Sequence, residues 1–407
     1  MRVLLLANHY RPGPGGAEAV LLTTEGLLRE RGHQPVPFAV REPDTAPTPW
    51  AVWFPPMAGA GARTEAGRRL AATASRPAQD ALHRLLDAAP PDVAHVHHVF
   101  EGLTLSVVDV LLTRRVPVVM TLHDYKPVCP NYRLYTGGRP CQRCLGGGYW
   151  NVLRHRCLEG SAWRGVAAAV DAYRRRLRRL WERVDLFVAP SRYLRDRMVA
   201  GGLPAGRVTV VPNPVELPPD PPPAARRGPA RFLYTGRLVA EKGLDDLLTA
   251  AASLRGRATV ELFGEGRLAE ALQARVAAEE LPVRLHGFVG RDRLARELTA
   301  ATATVLPARW PENCPLAILE AAALTVPAVA SAVGGIPELV ADGRTGLLVP
   351  PGDPAALAAA LAALTADPAR VAAMGRAARR RVATHHHPGD HADALLECYR
   401  RAITRTS

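Results

Sequence analysis

The sequence predicts an α/β protein built from two units with parallel strands, and three observations lead to this. Short apolar runs, the first at Arg2–Asn8, recur along the chain at the length of buried strands. Stretches of strong helix formers alternate with them, as in βαβ units. A Pro-rich stretch at 217–230 has no core-forming pattern and reads as a semi-rigid linker between the units.

Length, charge and cysteine content limit the classes of protein to which the chain can belong. A chain of 407 residues is long enough for two domains with full cores. The formal charge of +14 suits phosphate-bearing ligands or an anionic membrane, although general Arg enrichment explains it equally well. Six cysteines without a secretory signal, and no apolar run of ~18 residues, indicate a reduced compartment and no membrane span. We therefore expect a cytoplasmic protein, soluble or peripheral at the inner face of the membrane.

The first unit opens with a strand, a Gly-rich loop and a helix. Pro12–Gly16 forms the loop, and Ala17–Arg31 has apolar residues at helical spacing. Gly15 and Gly16 allow the backbone to approach a ligand, with helix amides behind them. The spacing is not G-x-G-x-x-G, which counts against an NAD-dependent oxidoreductase.

Two further strands, Asp92–His97 and Val116–Leu122, follow in this unit. The second ends at His123-Asp124. Because α/β folds bind ligands at the carboxyl ends of parallel strands, His123 is a candidate site residue.

A Cys-rich insertion, residues 125–160, comes next. Its cysteines have the spacing C-x11-C-x2-C-x12-C among Gly, Pro and Arg. Four thiolates with one C-x2-C pair fit a tetrahedral structural zinc, while disulfides and unligated thiols remain alternatives. The candidate ligands are Cys129, Cys141, Cys144 and Cys157.

A basic helix is predicted at Val166–Val184, with six arginines interleaved with apolar residues. Such a helix can lie on an anionic lipid surface, or it can bury its apolar face and solvate its arginines. Strands at Asp185–Ser191 and Val208–Pro214 complete the first unit.

The second unit repeats the α/β pattern, with its first strand at Arg231–Gly236. Arg237 and Lys242 follow the end of that strand. Two cations at a strand end suit a diphosphate, since Arg forks onto two oxygens and Lys acts as a point charge. The alternative is two solvated loop cations. Further strands are predicted at 258–264, 283–288, 303–307 and 326–332.

Two carboxylates, Glu312 and Glu320, flank the start of a helix predicted at Pro315–Leu324. The N–H groups at a helix start form an anion site, and carboxylates accept from sugar hydroxyls. This stretch therefore suits a polyhydroxylated phosphate ligand. The later triplet His385–His387 has poor ligand spacing for one metal and is expected on the surface.

Taken together, these features resemble a retaining GT-B glycosyltransferase of family 4, over nearly the whole chain. Its most specific parts are Gly236-Arg237…Lys242-Gly243, Glu312…Glu320 and Gly334–Glu338. The resemblance implies two facing Rossmann-like domains with an inter-domain cleft. The expected division is an acceptor-binding domain (1–214), a linker (215–230), a donor-binding domain (231–385) and a C-terminal helix crossing back to the first domain (386–407).

The resemblance also implies roles for particular residues. Arg237 and Lys242 would hold the donor diphosphate, Glu320 the ribose hydroxyls and Glu312 the donor sugar. His123 would lie near the transferred sugar. Phosphate, sugar or base contacts would come from Gly15, Gly16, Gly264, Gly287, Phe288, Leu316 and Ala317. The departure is Asn313-Cys314-Pro315, where many relatives have an aromatic-Gly pair, and it leaves the donor sugar open.

The implied activity is sugar transfer from a nucleoside-diphosphate sugar to a hydroxyl acceptor, without a catalytic metal or cofactor. The acceptor would be a glycan, a lipid-linked saccharide or a small molecule, and no nucleic-acid partner is expected given 5% aromatics. Cell-surface polysaccharide or glycolipid synthesis is the first expectation. Secondary-metabolite glycosylation, a nucleotide-sugar epimerase of the same architecture and a non-catalytic sugar-binding protein remain alternatives.

Overall fold

The computed structural model describes residues 1–13, 15–60, 74–158, 162–219 and 228–406, so residues 220–227 of the expected linker lie outside it. The chain packs into two compact units. Unit 1 comprises Met1–Arg133, Gln142–Val211 and Gly389–Ser407, and unit 2 comprises Leu134–Cys141 and Pro212–Pro388. Within the described ranges no single helix has the length and apolarity to cross a membrane, although one bent pair, Pro354–Ala366 with Pro368–Thr406, meets that criterion jointly.

Unit 1 is organised around a parallel sheet with the strand order β2-β1-β3-β4-β7-β8. Short, almost wholly apolar strands of this kind are typical of sheets that are covered on both faces. Its strands are β1 (Arg2–Leu6), β2 (Gln34–Phe38), β3 (Val93–Val96), β4 (Val118–Thr121), β7 (Leu186–Ala189) and β8 (Val208–Val210). The two intervening strands, β5 (Tyr135–Thr136) and β6 (Arg139–Pro140), form a separate antiparallel hairpin.

Helices pack against the unit 1 sheet, and the last helix of the chain, Pro388–Thr406, joins them. Its Leu395 and Tyr399 are buried in the same core as Val3 and Val119. The other helices of this part of the chain are α1 (Gly16–Glu30), α2 (Arg76–Ala88), α3 (Ser106–Thr113), α4 (Asn151–Arg154), α5 (Ala162–Leu177), α6 (Leu180–Arg183) and α7 (Arg192–Ala200).

Unit 2 has a second parallel sheet, in the order β11-β10-β9-β12-β13-β14. Its strands are β9 (Ala230–Thr235), β10 (Ala258–Phe263), β11 (Val283–Gly287), β12 (Ala303–Leu306), β13 (Ala328–Ser331) and β14 (Gly346–Val349). Its helices are α8 (Leu244–Ala251), α9 (Ala269–Ala278), α10 (Arg291–Thr299), α11 (Leu316–Ala323), α12 (Ile336–Leu339), α13 (Pro354–Ala366) and α14 (Pro368–His385). The α/β class with two parallel sheets, predicted from the sequence, is confirmed.

Three details differ from the expectation. The basic helix ends at Leu177 and restarts at Leu180, because Arg179 adopts a left-handed conformation with φ of 49°. The β5–β6 hairpin of the Cys-rich insertion belongs to unit 2, where Tyr135 packs against the core. His386 is buried rather than on the surface, and its Nδ1 lies 2.8 Å from the carbonyl oxygen of Asn213.

Candidate active site

In unit 2 the strand order reverses between β9 and β12. A doubly wound sheet opens a crevice at such a point, beyond the carboxyl ends of the strands. The loop after β9 carries Arg237 and Lys242, and the loop after β12 carries Trp310 and Glu312. The two loops are joined by backbone hydrogen bonds, since the amide of Arg309 donates to the carbonyl of Glu241 at 3.0 Å. The topology therefore brings these residues, far apart in sequence, to one place.

Lys242, Glu312 and Trp310 form a compact cluster at this point. Lys242 Nζ lies 2.5 Å from Glu312 Oε1, and Trp310 Nε1 donates to the same oxygen at 2.7 Å. The ammonium also lies 5.5 Å from the centre of the Trp310 ring, within cation–π range. Glu312 is almost fully buried. A carboxylate held through one oxygen by two donors is fixed in position while its second oxygen can still accept from a ligand.

The loop beneath this cluster is anchored by a second ion pair. The Arg309 Nε donates to the buried Asp246 at 2.6 Å, and a terminal nitrogen of the same guanidinium bonds its other oxygen. This bidentate geometry orients both groups. Because Asp246 lies in helix α8, directly after Lys242, the pair ties the start of that helix to the loop that carries Glu312.

Two glycines let backbones meet closely here. Gly334 has φ of 65°, and a Cβ added there would lie 2.1 Å from the carbonyl oxygen of Glu312. The neighbouring Gly335 amide donates to that carbonyl at 2.7 Å. Gly264 has φ of 134°, and its Cβ would lie 2.0 Å from the carbonyl of Gly236. Any larger residue at either position would force these strand-end loops apart.

The backbone amides of Leu316 and Ala317, at the start of helix α11, have no hydrogen-bond partner in the part of the chain that the structure describes. Pro315 is the N-cap, no side chain caps the helix, and Leu316 and Ala317 are its first residues. Glu320 lies in the same helix and is mostly buried, and burial raises the pKa of its carboxyl above the ordinary value, while Arg291 opposes the shift. Within the described residues the Glu320 carboxylate has no hydrogen-bond or ion-pair partner, while its backbone carbonyl accepts from the amide of Leu324 at 3.3 Å. A desolvated carboxylate of this kind gains from any ligand that brings hydroxyl donors.

The remaining predicted donor contacts lie at neighbouring strand ends. The Gly264 amide donates to the carbonyl of Gly287 at 2.8 Å, and Phe288 follows with 52% of its surface exposed. Arg237 is exposed, and no ion pair involves it in the part of the chain described. The structure thus groups Arg237, Lys242, Glu312 and Gly264 around the carboxyl edge of one sheet.

In unit 1, the half-buried His123 lies at the carboxyl end of β4, beside the buried imidazoles of His97 and His95. Its Nε2 is 3.0 Å from Nδ1 of His97, and the two rings stack at 5.2 Å. His95 lies behind, with its ring centre 4.2 Å from that of His97. His95 Nδ1 is 2.7 Å from the hydroxyl of Tyr399 in the terminal helix, and its Nε2 is 2.7 Å from Thr121 Oγ1.

Burial keeps these imidazoles neutral. It lowers the pKa of His95 to about 3 and that of His97 well below the ordinary value, in each case with added repulsion from neighbouring histidines. The pKa of His123 falls to about 4 through burial and the charge of His98, which outweigh attraction from Asp124. Neutral rings at working pH can donate or accept hydrogen bonds but do not supply positive charge.

The position of the proton on His97 sets the direction of the hydrogen bond between His97 and His123. Its Nε2 has no hydrogen-bond partner among the described residues. A buried N–H without an acceptor is rarer in proteins than an under-used acceptor, so the proton of His97 belongs on Nδ1. His97 then donates to His123 Nε2, and His123 carries its own proton on Nδ1. His97 was not predicted as a site residue because it lies within the predicted strand Asp92–His97; its alternation with His95 was the available signal.

Gly15 and Gly16 are located at the start of helix α1, where Gly15 is the N-cap and makes no side-chain capping bond. The carboxylate of Glu18 folds back over Gly15, and an added Cβ on Gly15 would lie 1.8 Å from Oε2 of Glu18. A negative charge at this helix start favours a hydroxyl-bearing ligand over a phosphate unless Glu18 moves.

The four cysteines of the predicted zinc site are not brought together in the described structure. Within the described residues no group of three or more His, Cys, Asp or Glu side chains is placed to hold a metal, and no disulfide forms. Cys129 Sγ donates to Asn131 Oδ1 at 3.1 Å, Cys144 packs with Tyr149 and Ala172, and Cys157 Sγ lies 4.0 Å from the Asn151 carbonyl. Cys141 lies in the hairpin segment of unit 2, whereas the other three belong to unit 1.

Comparison with known proteins places this geometry in a family. The family model described as "Glycosyltransferase Family 4" matches residues 14–217, and that described as "Glycosyl transferases group 1" matches residues 220–381. The chain belongs to glycosyltransferase family 4. The GT-B resemblance inferred from the strand-end motifs is confirmed by these matches and by the solved structures below.

Three similar proteins illustrate the match. Alpha-maltose-1-phosphate synthase of Mycobacterium tuberculosis is 32% identical over 77% of this chain and 80% of the relative. Glycogen synthase of the same organism is 39% identical, over 43% of this chain and 44% of the relative. The first curated relatives are matched over 35–59% of their own length. Anabaena HepE, solved in complex with UDP and glucose, superposes with a TM-score of 0.68 at 18% identity, covering 98% of each chain.

Proposed function

We propose that this chain transfers a sugar from a nucleoside-diphosphate sugar to a hydroxyl acceptor with retention of configuration. The observation that carries the proposal is the Lys242–Glu312–Trp310 cluster at the strand-order reversal of unit 2. It puts a cation for phosphate and a carboxylate for hydroxyl groups within one crevice, next to the uncapped start of α11.

Each part of the donor has a matching group. Lys242 and Arg237 bind the diphosphate, together with the amides of Leu316 and Ala317. The free oxygen of Glu312 accepts from a donor-sugar hydroxyl, and Glu320 accepts from the ribose. The base lies against Gly264, Gly287 and Phe288. In the free protein Lys242 is paired with Glu312, so the bound diphosphate shares the ammonium with that carboxylate.

The chemistry follows from where charge develops. The bond between the anomeric carbon and the phosphate oxygen breaks, and negative charge grows on the departing diphosphate. Lys242, Arg237 and the α11 amides stabilise that charge, so these residues supply the electrostatic role that a divalent metal takes elsewhere. The acceptor hydroxyl forms the new bond on the face that the phosphate leaves, and its proton passes to the departing phosphate oxygen.

His123 contributes by position rather than by charge, because its ring is neutral. With its proton on Nδ1, it donates a hydrogen bond to the transferred sugar or the acceptor and so places the attacking hydroxyl. Gly15 and Gly16 bring backbone close to the same ligands.

The donor we propose first is UDP-glucose, because HepE, which shares the fold, is known in complex with UDP and glucose. The acceptor is a glycan or lipid-linked saccharide of cell-surface polymer synthesis, since similar proteins include an amylovoran biosynthesis glycosyltransferase and a phosphatidylinositol monomannoside mannosyltransferase. The protein acts in the cytoplasm, peripheral to the membrane.

The test is to incubate the full chain with UDP-glucose, GDP-mannose and ADP-glucose in the presence of EDTA and a saccharide panel. We expect release of one nucleoside diphosphate that depends on acceptor, and a product whose anomeric configuration by NMR matches the donor. An inverted product would contradict the retaining mechanism. Activity that is lost in EDTA and restored only by a divalent metal would contradict the proposed role of the two cations.

A further inference from the structure

The exposed apolar side chains of the protein are concentrated in one short part of unit 1. Eight large apolar residues are exposed in the described chain, and five of them lie between residues 150 and 177. These five are Trp150, Leu153, Trp163, Val170 and Leu177. Scattered apolar residues need no explanation, but a cluster marks an interaction surface.

Three of the five form a line along helix α5. Trp163, Val170 and Leu177 are spaced by seven residues, about two helical turns, so they project from one side of the helix. Trp163 and Val170 are each 49% exposed and Leu177 is 82% exposed. The opposite side of the helix is buried through Ala169 and Ala172. The line therefore faces away from the body of the unit.

Helix α4 widens this surface. A Cβ added to Gly165 of α5 would lie 3.0 Å from Leu153 Cδ2, so the two helices are in close contact. The Trp150 amide donates to the Tyr173 hydroxyl at 3.3 Å, which fixes the start of α4 on α5. We call these five residues, carried by α4 and α5, the apolar face.

Arginines border the apolar face. Arg164 and Arg174 are exposed on α5 beside the line of Trp163, Val170 and Leu177. Arg178 is exposed just after the end of α5, where it lies 3.4 Å from Asp109. Arg154 lies over the Trp150 ring, 5.7 Å from its centre. The one acid among the described side chains of α5, Asp171, is paired with the buried Arg175 at 3.1 Å. The exposed border is therefore positively charged.

We propose that the apolar face docks this protein on an anionic lipid bilayer. Trp and Leu side chains enter the boundary between headgroups and acyl chains, while arginines at the border bind lipid phosphates. The positively charged border favours lipids with negatively charged headgroups. Because the apolar line is narrow, we expect it to insert only shallowly into the bilayer. This proposal does not depend on the transfer activity, although a docked transferase would meet lipid-linked acceptors directly.

The test uses the full chain and sedimentation with vesicles of phosphatidylcholine alone or with added phosphatidylglycerol. We expect binding only to the anionic vesicles, a blue shift of Trp fluorescence and release at high salt. The Trp163→Gln/Leu177→Gln variant should bind at least about tenfold more weakly, because each buried CH₂ contributes to membrane affinity. Arg174→Gln/Arg178→Gln should also weaken binding and reduce its salt dependence.

Two matched variants serve as controls. Val52→Gln replaces an apolar residue that is 72% exposed elsewhere on unit 1, and Arg284→Gln removes an exposed arginine from unit 2. Both should bind anionic vesicles as the unaltered chain does. Equal binding by Trp163→Gln/Leu177→Gln, or equal binding to neutral vesicles, would overturn the proposal. So would a dimer in sedimentation velocity that Leu177→Gln abolishes without vesicle binding, because the face would then join two copies of the chain.

Discussion

The carboxyl-edge residues of the two sheets differ in electrostatic character. In unit 2, Lys242 and Glu312 are opposite charges in direct contact, with Arg237 and Glu320 nearby in the same domain. In unit 1, His123 is the end of a row of neutral rings that hydrogen-bond to one another. The same α/β architecture thus supports a charged crevice in one unit and an uncharged, positionally fixed group in the other.

The difference indicates what each edge can do. Charges in contact can be redistributed when a charged ligand arrives, as a diphosphate does. Neutral imidazoles held by neighbours cannot stabilise a large charge, but they can fix the direction of a hydrogen bond. We therefore expect substitutions in unit 2 to alter donor binding and the chemical step together, and substitutions behind His123 to alter turnover alone.

The largest effect is expected for Lys242→Ala. Removing one charge that stabilises the departing phosphate should lower kcat by about 100- to 1000-fold, and it also leaves Glu312 with only Trp310 as a partner. Initial rates with UDP-glucose, together with circular dichroism to verify folding, measure this. Arg284→Ala, which removes a cation near the amino end of β11, is the matched control and should retain full activity. A near-normal rate in Lys242→Ala would contradict the claim that the charged crevice stabilises the departing phosphate.

Trp310→Phe tests how Glu312 is held. The change keeps the ring beside Lys242 but removes the N–H that donates to Glu312 at 2.7 Å. A hydrogen bond to a charged group contributes about 1.5–3 kcal/mol, so kcat/KM should fall by about 10- to 100-fold. Trp163→Phe, on the surface of unit 1, should have no effect on solution activity. If Trp310→Phe also leaves the activity unchanged, the indole contributes only packing and does not position Glu312.

These two residues also show what sequence can and cannot predict. The sequence placed Arg237 and Lys242 after the end of a strand, and the contact between Lys242 and Glu312 follows because α/β topology brings strand ends together. Trp310 was missed because an aromatic residue beside Pro311 carries no spacing signal of its own. The cysteines show the opposite case: their spacing matched a metal motif, but the described structure does not group them, because spacing in sequence does not fix the distances between loops. His386 was expected on the surface because burial by a distant backbone carbonyl is invisible in a local pattern.

A smaller effect is expected behind His123. His97→Leu removes the donor to His123 Nε2, and the net contribution of one such hydrogen bond is about 1 kcal/mol, or about fivefold in kcat. Nucleotide affinity should not change. The ¹⁵N shifts of His123 should report loss of the single Nδ1–H tautomer, which a purely structural change elsewhere in the unit would not produce. His97→Asn, whose amide can still donate, should recover part of the rate; no recovery, with an unchanged tautomer, would contradict the assigned hydrogen-bond direction.

The His98–Asp124 pair at the unit 1 edge is expected to affect stability rather than turnover. Burial lowers the pKa of His98, but its hydrogen bond and charge interaction with Asp124, 3.3 Å away, outweigh this and raise it above 6.5. Burial likewise raises the pKa of Asp124, yet its bonds to His98 and Lys126 bring it below 3.8. The stabilisation from charged His98 is complete below pH 6.5 and is lost as the pH rises through the raised pKa of this imidazole. The stabilisation from ionised Asp124 is complete above pH 3.8 and is lost as the pH falls through the lowered pKa of this carboxyl.

Asp124→Asn should therefore lower the free energy of unfolding by about 1–2 kcal/mol between pH 3.8 and 6.5, and by less at high pH. Urea unfolding across pH measures this, with Asp92→Asn, whose carboxylate bonds the backbone amide of Arg2, as a control for carboxylate removal outside the histidine pair. A loss that is constant across pH would show that the pair contributes nothing specific.

The most direct test of the donor crevice is calorimetric titration of UDP, GDP and ADP into the unaltered chain and into Glu320→Gln, each in EDTA. We expect one nucleotide to bind the unaltered chain, and Glu320→Gln to bind it at least about tenfold more weakly, because the ribose loses its charged acceptor. The free variant should nevertheless unfold at a higher temperature at neutral pH, because burial makes the ionised Glu320 costly. Equal affinity in both proteins, or no binding of any nucleotide, would contradict the central claim that this crevice holds a nucleoside diphosphate.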